Sequence, residues 1–190
     1  MRNLNIPNTL TIARIIGIPF CLDALFKDGG HTASWQFAAW CGFFLIGLTD
    51  LLDGRLARAR GSITNFGTFL DPVADKAAIG SAMVGLSLQG RLWWWVTILI
   101  MFREVAVTTL RLTVLRHGVI PASRGGKIKT LFQGFGVGFY ILPLPHYLHI
   151  PRDIFMAVAI CLTLTTGIDY FLGSRRWISE QSRRNLEKKK

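Results

Sequence analysis

Four aspartates lie close together within an otherwise apolar part of the chain, at positions 50, 53, 71 and 75. On helices, Asp50 and Asp53 share one face, and Asp71 and Asp75 lie one turn apart on the following helix. Four carboxylates in one pocket cannot all stay ionised without counter-charge. Oxygen ligands with no His or Cys among them suit Mg²⁺ or Mn²⁺. The stretch therefore predicts two divalent cations held by the four aspartates.

Small residues beside the aspartates leave space for a phosphorylated substrate. Gly54 and Ala57 share the helix face of Asp50 and Asp53, so a diphosphate has room to approach the backbone there. The guanidinium of Arg58 can bind a phosphate oxygen bidentately. The same stretch that predicts metal binding therefore also predicts a phosphate site.

Asp71 has a second interpretation, because proline follows it. Asp-Pro commonly begins a helix, with Asp as the N-cap and Pro at the first helical position. Taken alone, Asp71-Pro72 favours capping. The three other aspartates favour metal binding instead.

The aspartates lie between apolar blocks whose lengths match a lipid bilayer. The chain of 190 residues is 51% hydrophobic, and its mean hydropathy is +0.37. These values predict an all-α, polytopic membrane protein with one domain over residues 1–190. The six predicted transmembrane helices cover residues 8–26, 35 to 58 or 60, 72–88, 92–115, 128–143 and 154–172.

The second predicted span carries the first two aspartates. Its apolar run, 35–48, is too short to cross about 30 Å of hydrocarbon at 1.5 Å per residue. The helix is therefore expected to continue through Asp50 and Asp53 to Arg58 or Arg60, with a turn over 61–66 before the third span. This places both aspartates in the last turns of a membrane helix, next to the aqueous side.

The positive charges predict the orientation. Six spans put both termini on one side of the membrane, which carries fifteen Lys and Arg residues against three on the other. The termini, the aspartates, a basic glycine-rich loop over 117–129 and a basic tail over 174–190 are therefore predicted to be cytoplasmic. A short interfacial segment is predicted over 1–7. The net charge of +11 also suits nucleic-acid binding, but its distribution favours a bacterial inner membrane with anionic lipid, and no nucleic-acid partner is expected.

Further charges lie in or beside the spans: Arg14, Lys76, Arg103, Glu104, Arg111 and Asp169. Ionisable groups at membrane depth are costly unless they face a cavity or a partner. One polar cavity open to the cytoplasm accounts for them together, and separate structural ion pairs are the alternative, which suits Asp169 best. The cations between 103 and 129 suit a ligand that carries a phosphate, although Arg124, Lys127 and Lys129 also fit a role in topology alone.

The aspartate stretch resembles the signature of the CDP-alcohol phosphotransferase family, with every position filled: Asp50-x2-Asp53-Gly54-x2-Ala57-Arg58-x8-Gly67-x3-Asp71-x3-Asp75. The resemblance implies six transmembrane helices, a homodimer and two divalent metals on the four aspartates. It implies that the nucleotide lies near Gly54, Ala57, Arg58 and Gly67, and that Asp75 is the general base. The family transfers a phospho-substituent from a CDP-linked donor to an alcohol and releases CMP.

Four further segments resemble one branch of that family: Asn5-Ile6-Pro7-Asn8-x-Leu10-Thr11-x2-Arg14; Arg103-Glu104 followed by Arg111; Gly126-Lys127-x-Lys129-Thr130-x2-Gln133; and Thr166-Gly167-x-Asp169-Tyr170. The branch condenses CDP-diacylglycerol with sn-glycerol 3-phosphate, giving phosphatidylglycerophosphate and CMP. By this resemblance Arg103, Arg111 and Lys127 are candidates for binding the acceptor phosphate, and the nearby cation Lys129 is predicted to bind it with them. Asn8, Thr11 and Arg14 are candidates for the donor site.

Other functions remain open at this point. Within the family, the acceptor could instead be inositol phosphate or phosphatidylglycerol. A divalent-cation transporter also places acidic residues in a membrane cavity, but it requires them at successive depths, whereas these aspartates cluster on one side. A basic membrane adaptor that binds nucleic acid leaves the aspartates unexplained.

Overall fold

The structure, a computed structural model, consists of helices joined by short connections in the parts of the chain that it describes. It describes the backbone of residues 6–59, 65–115 and 124–187, and the side chains of 9–49, 72–110, 126 and 128–173. Six α-helices follow one another in these ranges: α1 Ile6–Phe26, α2 Ala33–Ala59, α3 Asn65–Leu88, α4 Trp94–Leu115, α5 Arg124–Ile141 and α6 His149–Glu187. This agrees with the predicted all-α class.

Two stretches of the described helices are long and apolar enough to cross a membrane, Thr9–Gly30 around α1 and His146–Gly173 in α6. The apolar part of α2, Ala33–Thr49, is shorter, as the prediction for that run required. The apolar sequences of α3, α4 and α5 are interrupted by charged residues such as Lys76 and Arg103. The number of six spans therefore stays a prediction.

The predicted continuation of the second helix is confirmed, since α2 runs without a break through Asp50 and Asp53 to Ala59. The predicted start of the third helix is wrong. Helix α3 begins at Asn65, so Phe66 is helical and Pro72 lies inside the helix. Asp71 is therefore not an N-cap, because a full turn of helix precedes it. Pro72 is accommodated inside α3, although proline is tolerated best in the first turn of a helix.

Other helix boundaries also differ from the prediction. The basic loop predicted over 117–129 ends earlier, because α5 begins at Arg124 and includes two glycines, Lys127 and Lys129. Helix α1 begins at Ile6, so residues 1–5 of the predicted interfacial segment lie outside the described residues. The predicted tail from 174 continues α6 as far as Glu187. Most of the predicted turn after α2 also lies outside the described ranges.

The apolar core lies at the end of the bundle where α3 turns into α4. Its fully buried side chains include Leu25, Met83, Leu86, Ile100 and Ile141, which come from the last turns of α1, α3 and α5 and the first turns of α4. Burial of each side chain of this size contributes about 1.5–3 kcal/mol. The four predicted metal-binding aspartates occupy the other half of the helices.

The core end is closed by a tight connection between α1 and α2. Gly30 has a φ of +76° there, and a Cβ at this position would stand within van der Waals overlap of the Gln89 side chain. The Gln89 side chain donates a hydrogen bond to the carbonyl oxygen of Leu25 at 2.6 Å. Glycine is therefore favoured by both its backbone conformation and the close approach of the Gln89 side chain, which follows α3.

Candidate active site

The helix bounds bring the two aspartate pairs to matching depths. Asp53 lies six residues before the end of α2, and Asp71 lies six residues after the start of α3. At 1.5 Å per residue, each is about 9 Å from its helix end. The two helices are in contact and follow one another in the chain. Asp50 and Asp75 lie one turn deeper in the same half of the bundle.

Two of the predicted donor-site residues lie on the buried stripe of α1. Thr11 is fully buried and Arg14 is 3% exposed, and both make interactions with other residues. They follow the helical spacing of Ile18, Cys21 and Leu25, so they face the interior of the bundle. A buried arginine at this position agrees with the predicted polar interior.

A polar cavity lies between α3, α4 and α5. It is lined by Asp75, Lys76, Ile79, Met101, Glu104, Lys129, Thr130 and Gln133. The free space between these side chains is about 20 Å³. This is room for on the order of one water. The cavity therefore joins the predicted general base, Asp75, to a predicted acceptor-binding residue, Lys129.

Glu104 is the centre of a buried ion cluster at this cavity. One of its carboxylate oxygens, Oε1, accepts a hydrogen bond from Arg103 Nη1 at 2.7 Å and another from the Lys129 ammonium. The three side chains are 12% (Arg103), 14% (Glu104) and 5% (Lys129) exposed. Burial of charges at this depth is costly unless they are paired and hydrogen-bonded. Two positive groups and one negative group leave the cluster with a net charge of +1.

Lys129 is therefore not part of a solvated basic loop. It lies inside α5, is 4% exposed and is bound to Glu104. A role in membrane topology alone, which the sequence left open for this residue, does not account for a buried ion pair. The side chain of Lys127 is outside the described residues.

Arg103 is fixed to α6 as well as to Glu104. Its Nε donates to the carbonyl oxygen of Thr163 at 3.0 Å, and its Nη2 donates to the hydroxyl of Thr166 at 2.7 Å. All three guanidinium nitrogens are therefore engaged. Gly167 leaves the space for this arrangement, because a Cβ there would stand 3.3 Å from both Cγ and Nε of Arg103.

The sequence did not single out Glu104, Thr130, Gln133 or Thr166 as site residues. Glu104 was noted as a charge within a span, and the others lie in segments that resemble the family, so the signal was present without a role attached. Asp169, expected to form a structural ion pair, is exposed on α6 and forms no salt bridge with another described residue.

Only the helix positions are described for the remaining predicted site residues: Asn8 on α1; Asp50, Asp53, Gly54, Ala57 and Arg58 on α2; Gly67 and Asp71 on α3; Arg111 on α4; and Lys127 on α5. Their predicted roles are therefore untested. Of the four aspartates, Asp75 has a described side chain, which is half-buried and interacts with another residue.

The donor set fits hard divalent cations as far as it is described. By chain position the four aspartates lie in the last turns of α2 and the first turns of α3, and carboxylate oxygens are the ligands that Mg²⁺ and Mn²⁺ prefer. Among the described side chains, no three potential metal ligands form a group. Of the four predicted aspartates, only Asp75 has its side chain among those described.

Comparison with known proteins adds independent information. Residues 4–165 match the CDP-alcohol phosphatidyltransferase family. A probable phosphatidylglycerophosphate synthase of Mycobacterium tuberculosis strain H37Rv is 51% identical over 169 residues, which cover 89% of this chain and 81% of that protein. The CDP-diacylglycerol–glycerol-3-phosphate 3-phosphatidyltransferase of Bacillus subtilis strain 168 is 37% identical over 186 residues, covering 91% of this chain and 95% of that protein. A Haemophilus influenzae protein of the same name is 37% identical, with 87% and 91% coverage.

Proposed function

Because the chain belongs to the CDP-alcohol phosphatidyltransferase family, we propose that it is an enzyme that transfers the phosphatidyl group of CDP-diacylglycerol to sn-glycerol 3-phosphate. The products are phosphatidylglycerophosphate and CMP. The names of relatives at 51% and 37% identity support this reaction. The family is membrane-embedded, which agrees with the apolar helices α1 and α6. It also uses divalent metals.

One observation carries the proposal furthest. Asp75 and Lys129 line the same small cavity. A transfer to a phosphorylated alcohol needs a base for the hydroxyl group and a cation for the phosphate group of the same small molecule. The cavity supports both requirements within one site.

The general base is assigned to Asp75. The acceptor hydroxyl oxygen forms a new bond to the phosphatidyl phosphorus of the donor, and the bond from that phosphorus to the bridging oxygen of CMP breaks. CMP leaves with the electron pair, and the hydroxyl proton passes to the Asp75 carboxylate. General base catalysis of this kind contributes about 10²–10⁴-fold to a rate.

Two Mg²⁺ or Mn²⁺ ions are assigned to Asp50, Asp53, Asp71 and Asp75. When bound, such ions neutralise the charge of the donor diphosphate and of the leaving CMP. The donor nucleotide is assigned to the small residues Gly54, Ala57 and Gly67, together with Arg58. The buried positions of Thr11 and Arg14 on α1 support the assignment of these two residues, with Asn8, to the donor site.

The acceptor phosphate is assigned to Arg103, Arg111, Lys127 and Lys129. The burial of Lys129 and Arg103 favours phosphate binding, since desolvated cations hold a phosphate more strongly than exposed ones do. Arg103 is already held by α6 and Glu104, which leaves Lys129 as the residue of the described pair that is more able to move towards a ligand.

We further propose six transmembrane helices in one domain over residues 1–190, with the interfacial N-terminal segment and the basic tail on the cytoplasmic side. The active site opens to the same side, so that soluble glycerol 3-phosphate enters and CMP leaves there. The enzyme is assigned to the bacterial inner membrane, where CDP-diacylglycerol is the lipid partner, and to a homodimer. The excess of Lys and Arg on one side supports the orientation.

An acceptor panel tests the proposed function. Purified full-length protein with Mn²⁺ is supplied with radiolabelled CDP-diacylglycerol and, separately, glycerol 3-phosphate, inositol phosphate, serine or phosphatidylglycerol. We expect release of CMP with glycerol 3-phosphate and formation of a lipid that carries two phosphates. A faster reaction with inositol phosphate or phosphatidylglycerol assigns the enzyme to another acceptor. Uptake of Mn²⁺ into proteoliposomes without CMP release favours the transporter instead.

A further inference from the structure

Glu104 binds two of the cations to which the acceptor phosphate is assigned. Its Oε1 oxygen accepts hydrogen bonds from Arg103 and from Lys129 at the same time. A carboxylate oxygen that bridges two cations lies where a phosphate oxygen would lie if the same two basic side chains bound it. An anion of this chain is therefore already bound where the substrate's anion is expected.

The two cations are held very differently. Arg103 is bound to Thr163 and Thr166 of α6, so its position does not depend on Glu104 alone. Among the described residues, Glu104 is the hydrogen-bond partner of the Lys129 ammonium. Lysine is a flexible chain with three donors, and it exchanges partners more readily than the planar guanidinium of arginine does.

The cavity has little room while this ion pair is in place. The free space beside Lys129, Asp75 and Glu104 holds on the order of one water. A phosphate group that reaches Lys129 through this space requires the lining side chains to move. Release of Lys129 from Glu104 provides both the room and the positive charge.

We propose that Glu104 is a specificity-determining placeholder: its carboxylate holds Lys129 until the phosphate of the acceptor replaces it. An acceptor that carries a phosphate dianion supplies more negative charge and more acceptor oxygens than the carboxylate, so it displaces Glu104. An uncharged alcohol supplies neither, and Lys129 stays on Glu104. The inference rests on the proposed function, because it assumes that the acceptor carries a phosphate.

A static ion pair is the competing explanation, and the two differ in their response to anions. If Glu104 only stabilises the fold, its replacement lowers stability whether or not an anion is present. If Glu104 is a placeholder, its replacement opens an anion site with two buried cations. Inorganic phosphate then restores what the substitution removed.

The test measures thermal unfolding of the purified full-length protein in detergent, with increasing inorganic phosphate at constant ionic strength. Glu104→Gln is expected to unfold at a lower temperature than the unsubstituted protein without phosphate and to recover with it. Its half-saturating phosphate concentration is expected to be lower by about tenfold, because the competing carboxylate is gone. Glu104→Asp, which withdraws the carboxylate by one methylene group, is expected to fall between the two.

Asp153→Asn is the matched control, since it removes one carboxylate from a different cluster. Asp153 binds Tyr140 and Arg152 near the start of α6, outside the proposed site. Its phosphate response is expected to equal that of the unsubstituted protein. If Glu104→Gln and Glu104→Asp both respond to phosphate no more than this control does, Glu104 is a structural partner and the inference is wrong.

Kinetics give a second test, because a placeholder role and a structural role of Glu104 predict opposite changes in the KM for glycerol 3-phosphate. Glu104→Gln is expected to lower the KM for glycerol 3-phosphate, whereas loss of a merely structural contact raises the KM or lowers kcat. An unchanged or raised KM counts against the placeholder. If the unsubstituted protein transfers nothing to glycerol 3-phosphate, the proposed function fails, and the phosphate titration still decides separately whether Glu104 competes with an anion.

Discussion

Gly167 of α6 lies directly against the Arg103 side chain of α4, and a methyl group at position 167 would stand 3.3 Å from Cγ and from Nε of Arg103. This contact is tighter than an ordinary van der Waals contact, so Arg103 has to shift by a few tenths of an ångström to admit it. The shift disturbs the bonds from Arg103 to Thr163 and Glu104. The position of Gly167 therefore connects α6 to the ion cluster at the cavity.

Gly167→Ala is expected to raise the KM for glycerol 3-phosphate several-fold with little change in stability. Alanine favours a helix over glycine by up to about 1 kcal/mol, which offsets the contact with Arg103. The measurements are initial rates over a range of acceptor concentrations and thermal unfolding. Gly173→Ala is the control on the same helix, because a Cβ there meets nothing within 4 Å. An unchanged KM for Gly167→Ala indicates that Arg103 is not involved in acceptor binding.

Asp75→Asn is expected to lower kcat for CMP release by at least about 10²-fold, since the amide cannot take the hydroxyl proton. Initial rates with both substrates varied give this value. Asp28→Asn makes the same chemical change in the turn after α1, where φ is +52° and asparagine is well tolerated, and it should leave the rate unchanged. A near-normal rate for Asp75→Asn removes this residue as the general base.

Lys129→Met replaces the buried ammonium with an apolar side chain of similar length. The KM for glycerol 3-phosphate is expected to rise by about tenfold or more, because a charge-assisted hydrogen bond to phosphate contributes about 1.5–3 kcal/mol. The KM for CDP-diacylglycerol should stay within about twofold, because Lys129 is assigned to the acceptor and makes no hydrogen bond to the donor. Both constants come from initial rates with the other substrate saturating.

Lys27→Met is the control for the lysine substitution. Lys27 lies over the Trp35 ring at 5.3 Å, at the core end of the bundle and away from the cavity. This change should cost at most about 1 kcal/mol of stability and leave both KM values unchanged. Equal effects of the two substitutions on the acceptor KM contradict the role of Lys129.

Removal of divalent metal is expected to abolish transfer, and Mn²⁺ or Mg²⁺ should restore it. Electron paramagnetic resonance of bound Mn²⁺ is expected to count two ions per chain. Asp53→Asn and Asp71→Asn should each weaken binding of at least one ion, because each removes a charged ligand from the set. A chain that binds a single ion, or one whose Mn²⁺ binding is unaffected by both substitutions, contradicts the assigned ligands.

The sequence predicted the parts of the fold that depend on bilayer thickness and local pattern. The continuation of α2 to Ala59 follows from a 14-residue apolar run that is too short to span. The start of α3 was missed because Pro72 resembles a helix start, and the start of α5 was missed because Gly125 and Gly126 resemble a loop. Proline and glycine report local preferences, which neighbouring helices can override.

The ion cluster around Glu104 could not be predicted from spacing. Glu104 of α4 and Lys129 of α5 are 25 positions apart in the chain. Arg103 and its partner Thr166 on α6 are 63 positions apart. Periodicity assigns residues to a helix face, but it does not say which faces meet. The charges within the spans were visible in the sequence, whereas their pairing required the packed bundle.

The core at one end of the bundle divides the molecule into two halves with separate tasks. Apolar side chains such as Met83, Leu86 and Ile100 hold the helices together where no substrate is expected. Substitutions in the polar half and in this core are then expected to affect stability nearly independently, since mutational effects at distant sites are nearly additive. A shared scaffold of this kind can acquire a new acceptor alcohol through a few substitutions around the cavity, while the stabilising half remains as it is.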